Sequence, residues 1–84
     1  MLIAGLFDSV ANKYVQFIPS PSEALLRRDF KNAVSQQNSI YCVNAYDFQV
    51  FQLAEIDEST GACLSTEKKL LFTLKELKDD PQVQ

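Results

Sequence analysis

The chain has no histidine, no tryptophan and only two glycines among its 84 residues. Without histidine the usual general base at neutral pH is missing, and neither a Ser–His nor a Cys–His nucleophile pair can form. Gly5 and Gly61 cannot build a glycine-rich phosphate loop. Cys42 and Cys63 lie far apart with no imidazole to join them, whereas zinc asks for about four thiolate or imidazole ligands in paired spacing. They are expected as two small, buried, reduced thiols, with a disulfide between them as the other reading. The oxygen ligands of a calcium loop are missing too, so no metal and no cofactor is expected. No apolar run approaches the ~20 residues of a membrane span, and no basic stretch followed by an apolar one opens the chain. These absences point away from enzymes, metalloproteins and membrane proteins. They leave a non-catalytic binding protein of the cytosol.

What is present folds. The hydrophobic fraction is 46% and the aromatic fraction 11%, too apolar for a disordered chain. One domain is expected over residues 1–84, with 79–84 as a flexible polar tail. The net charge is −3, which argues against a protein that wraps nucleic acid over its whole surface. The charge is uneven, however: residues 1–42 sum to +1 and residues 43–84 to −4.

The residue pattern predicts an α+β fold: an antiparallel sheet of about four strands with one main helix, in the order ββαββ. Leu2–Phe7 and Lys13–Ile18 read as strands joined by the turn-forming stretch 8–12. Pro19 is expected to end the second strand. Ser20, Pro21 and Glu23 then supply an N-cap, a first helical residue and a capping box, and Leu26, Phe30, Ala33 and Val34 recur at helical spacing. Ile40–Val43 reads as a short strand or extended piece, and Phe48–Ile56 as the longest strand. Asp57–Gly61 forms a hairpin loop, and Ala62–Leu64 the returning strand. After that two readings stand. Either Lys69–Phe72 is a final strand and Thr73 caps a short C-terminal helix, or Ser65 caps one helix from Thr66 to Lys78.

Candidate binding residues are few. Arg27, Arg28 and Lys31 share one helix flank. Lys13, Tyr14 and Tyr41 are placed to join them, giving the cations and stacking groups that single-stranded nucleic acid binders use. The same cations also read as a solvated face, with Glu23 four residues before Arg27. Asp57 and Glu58, the most compact acidic pair, have the composition of a turn. The aromatics, Phe7 and Phe17 included, read as core by default. On the long strand Phe48 and Val50 share one face while Phe51 and Leu53 point to the other, so both faces need cover. One helix covers one face. Phe51 and Leu53 are therefore expected at a homodimer interface, unless the segment Leu70–Leu77 folds back over them.

Taken together, Phe7-Asp8-Ser9-Val10-Ala11, Phe17-Ile18-Pro19, Tyr46-Asp47-Phe48-Gln49-Val50-Phe51 and Ile56-Asp57-Glu58-Ser59-Thr60-Gly61 resemble the small non-structural protein of gokushoviruses, the tailless single-stranded DNA phages of the Microviridae. The resemblance covers residues 2 to 64. Where that family has Asp-Tyr-Glu-Leu-Tyr, this chain has Asp47-Phe48-Gln49-Val50-Phe51, and Ala54 and Glu55 stand where a glycine is usual. The resemblance implies a protein of the infected bacterial cytoplasm, absent from the capsid. It also implies an accessory role in viral single-stranded DNA synthesis or packaging, through DNA or a viral or host replication protein. The alternative is a protein-interaction module that binds a host or viral protein without touching nucleic acid.

Overall fold

In the computed structural model, which describes residues 1–79, the opening apolar run pairs with the aromatic run after it. β1 (Leu2–Asp8) and β2 (Lys13–Ser20) form an antiparallel hairpin. The loop closes on itself: one Asp8 carboxylate oxygen accepts from the Val10 and Ala11 amides at 2.9 and 3.2 Å. Asn12, at φ 57°, takes a left-handed position that asparagine tolerates better than most residues. Pro19 does not end the strand. It lies opposite Ile3 on an edge strand, where its missing N–H is tolerated, and pairing continues to Leu2–Ser20.

That extra pairing moves the helix start. α1 runs Glu23–Val34 and is capped by Ser22, whose Oγ accepts from the Leu25 amide at 3.1 Å. Ser20, the expected cap, is the last strand residue, and its hydroxyl donates to the Ser22 carbonyl at 2.9 Å. Leu26, Phe30 and Val34 make the buried stripe of the helix. Ile40–Val43 is a second correction: it forms one helical turn, α2, rather than a strand. Ser39 caps that turn through the Tyr41 amide at 3.1 Å. The turn carries Tyr41 to within 6.1 and 5.7 Å of the Phe30 and Phe48 ring centroids and leaves Ile40 and Val43 exposed. A strand would have put Tyr41 and Val43 on one face.

A 3-10 turn at Ala45–Asp47 leads into β3 (Phe48–Ile56), the central strand. β1 pairs along one edge of β3. Along the other run β5 (Lys69–Thr73) and β4 (Cys63–Ser65), every pairing antiparallel. The sheet order is β2-β1-β3-β4, with β5 also on β3. Gly61, at φ 77°, closes the loop before β4, its amide donating to the Asp57 carbonyl at 2.7 Å. Of the two C-terminal readings, the strand with a short helix is found: Thr73 Oγ1 accepts from the Glu76 amide at 3.1 Å and caps α3 (Leu74–Asp79). Asp79, expected to begin the tail, is the last residue of α3, and the rest of that expected tail lies outside the described residues.

The fold is thus α+β, an antiparallel sheet with one main helix and a short C-terminal one. Both helices lie on the same side. Leu74 and Leu77 of α3 join Leu26, Phe30 and Val34 of α1 in one buried cluster with Ala4, Leu6, Val50 and Phe72 of the sheet. The C-terminal segment therefore does not fold over Phe51 and Leu53. The shortest dimension of the molecule, 17 Å, is that of one sheet and one helical layer.

Candidate nucleic-acid interface on the open sheet face

The uncovered face of the sheet collects rings. Strand registers put Gly5 opposite both Phe17 and Phe51, and Phe7 opposite Tyr14, so these residues share the face turned away from the helices. Phe7 and Tyr14 meet edge to face with centroids 5.2 Å apart, and Phe51 lies 6.4 and 6.1 Å from them. Phe17 adds a fourth ring 6.0 Å from Tyr14 and is 63% exposed. Gly5 makes the arrangement possible. A Cβ there would stand 2.7 Å from Leu53 Cδ1 and 2.8 Å from Tyr14 Cδ1, so the bare backbone lets both side chains lie flat on the sheet.

One cation sits among the rings. Lys68 Nζ lies 4.8 Å from the Phe51 centroid and 5.7 Å from that of Tyr14. Beside it the Tyr14 hydroxyl is buried without a hydrogen-bond partner. A buried donor in that state is costly.

Of the residues singled out from the sequence, Tyr14, Phe51 and Leu53 come together on this face, and exposed Lys13 directly precedes Tyr14 along β2. The others lie elsewhere. Tyr41 is on the helix side, against Phe30 and Phe48. The Arg27 guanidinium rests over the Phe72 ring at 4.9 Å and reaches Glu23 at 3.9 Å, Arg28 pairs with Asp29 at 3.9 Å, and Lys31 lies in the last turn of α1. Phe7, Phe17 and Lys68 were missed. The first two were assigned to the core by residue type, although strand alternation from Gly5 already placed Phe7 on its face. Cys42 is half-buried and Cys63 exposed, both free thiols, so the expectation of two buried cysteines fails for Cys63. Among the described residues no group of three or more His, Cys, Asp or Glu side chains could hold a metal ion.

Compared with known protein families, residues 1–77 match the phage ORF5 protein. The chain belongs to the phage ORF5 protein family. It is a phage protein, and the ORF5 match takes in all five strands, α1 and α2, with both sheet faces. Comparison with curated proteins and with solved structures gives no match. No helix among the described residues of this ORF5 family member is long and apolar enough to cross a membrane.

Proposed function

We propose that the chain is the small non-structural protein of a gokushovirus. In this reading it is a non-catalytic accessory that holds single-stranded DNA during its synthesis or packaging in the cytoplasm of the infected bacterium. The cluster of Phe7, Tyr14, Phe17 and Phe51 around Lys68 carries the reading. Aromatic side chains on an open antiparallel sheet are a recurrent platform for unstacked bases, and a cation among them suits the phosphate backbone. Such binding is compatible with a net charge of −3, because it uses a local patch and not the whole surface.

An anisotropy titration against a labelled oligothymidylate of about a dozen nucleotides tests it. Binding should weaken as salt rises, and Lys68→Ala should lower the salt slope by about 0.7. Phe17→Ala should cost about 1–3 kcal/mol of binding, the usual worth of one stacked base. No binding at low salt by well-folded protein removes the proposal.

A second copy of the chain is the other reading for this face. Leu53 and the exposed Leu70, opposite Phe51, extend the rings as plain apolar surface.

A further inference from the structure

β2 is the outer strand of the sheet, and its free edge looks onto a groove on the helix side. α1 packs chiefly against α3 and only lightly against β2. The Arg27 guanidinium of α1 reaches across to Phe72 of β5, and the buried stripe of α1 packs beside Leu74 and Leu77 of α3. The gap between β2 and the helices holds two adjoining cavities of about 240 and 360 Å³. Leu26, Phe30 and Ala33 line the first, and Val15, Ile40 and Phe48 the second. Gln16 and Tyr41 form the wall that both share.

We infer that this groove binds an extended, basic segment of a partner protein, added to β2 as a further strand with two apolar side chains, two residues apart, in the two cavities. Three features fit that occupant. First, an edge strand offers unpaired N–H and C=O groups, the template that strand addition uses. Second, the two cavities succeed one another along β2: Ile18 lines only the first, Val15 only the second, and Gln16 both. On an added strand the side chains of one face recur every two residues, about 6.6 Å, so neighbours i and i+2 reach the two sides of Gln16 and with them the two cavities. Third, each cavity carries an acid, Asp29 on the first and Asp8 on the second, and no lysine or arginine. Asp29 meets only the exposed guanidinium of Arg28 at 3.9 Å, a surface pair that rearranges at little cost. Asp8 uses one carboxylate oxygen on the Val10 and Ala11 amides. Apolar side chains stand ready at the second cavity and beyond it: Val15 is 46% exposed, Ile40 60% and Val43 66%. This site lies on the opposite side of the sheet from the ring cluster, and it stands whether or not that cluster binds DNA.

The probe is a fluorescein-labelled octapeptide reading Lys-Lys-Leu-Thr-Phe-Thr-Lys-Lys. Its control is the isomer with Leu and Phe adjacent. The alternating peptide should bind the full-length protein about tenfold more tightly than the isomer. Hydrogen exchange should slow at alternate amides of β2 when it binds. Ala33→Phe fills the first cavity, and Ile40→Lys, at an exposed position, sets a like charge beside the second. Each should abolish the preference for the alternating peptide while the circular dichroism spectrum stays native. Equal binding of the two peptides overturns the inference, as does native-like Ile40→Lys protein that binds as the wild type does. In the Phe51→Ser, Leu53→Ser double variant, whose open face no longer pairs, protection of β2 that rises with protein concentration in the absence of peptide also overturns it, because a second copy then takes the edge.

Discussion

At Gly5 a missing methyl group decides what the neighbouring side chains can do. Its backbone is the floor on which Tyr14 and Leu53 rest, and a Cβ would enter both at under 3 Å. Tyr14 has little space to retreat into, because it is hemmed by Phe7, Phe17 and Phe51. Gly5→Ala should therefore cost about 1–3 kcal/mol in urea denaturation, the usual penalty of overpacking. Wild-type stability in that variant would show that the rings move aside freely. The Tyr14 hydroxyl makes the opposite case. It is buried without a partner, so Tyr14→Phe removes an unmet donor and should raise stability by about 1 kcal/mol in the same measurement. A loss of stability would mean that the hydroxyl has found a partner in solution.

Among the elements, the start of α1 shows how two good local signals are separated. Ser20 and Ser22 both stand before an apolar helical stripe, and Ser20 has Glu23 at capping-box spacing. Pairing of Ser20 with Leu2 holds it in β2, so Ser22 takes the cap. Ser22→Ala should cost about 1 kcal/mol, and Ser22→Asp should keep most of the stability, because aspartate caps equally well. An unaffected Ser22→Ala protein returns the cap to Ser20. α2 teaches a different lesson. Ile40-Tyr41-Cys42-Val43 has strand composition, yet four residues are too few for periodicity to speak. The Ser39 cap and the slot for the Tyr41 ring between Phe30 and Phe48 settle it as a helical turn.

The whole molecule is a sheet with helices on one side only, so the open face is where its stability and its partners meet. Two occupants compete for that face in the proposed function, and they exclude each other. We expect a weak homodimer through Phe51, Leu53 and Phe17 in free protein, giving way to a DNA-bound monomer. Light scattering in the micromolar range should give a mass above 9.5 kDa that falls back on adding oligothymidylate. Phe51→Ser with Leu53→Ser should abolish the dimer. A mass of 9.5 kDa at every concentration removes the second copy from this face.

The sequence by itself determined the parts that close over a few residues. The β1–β2 turn follows from Asp8 and Asn12, the loop before β4 from Asp57 and Gly61, and the buried stripe of α1 from Leu26, Phe30 and Val34. It also determined that β3 is apolar on both faces, hence that one face lacks cover. Each of these is a matter of short-range hydrogen bonds or of a repeat of two or nearly four residues. Tertiary structure alone decided the side on which α3 packs, the separation of Tyr14 from Tyr41 by the sheet, and the gathering of Phe7, Tyr14, Phe17, Phe51 and Lys68. Those outcomes depend on long-range registers such as Leu2 opposite Glu55 and Phe51 opposite Leu70. A slip of one residue in such a register turns every side chain of a strand to the other face.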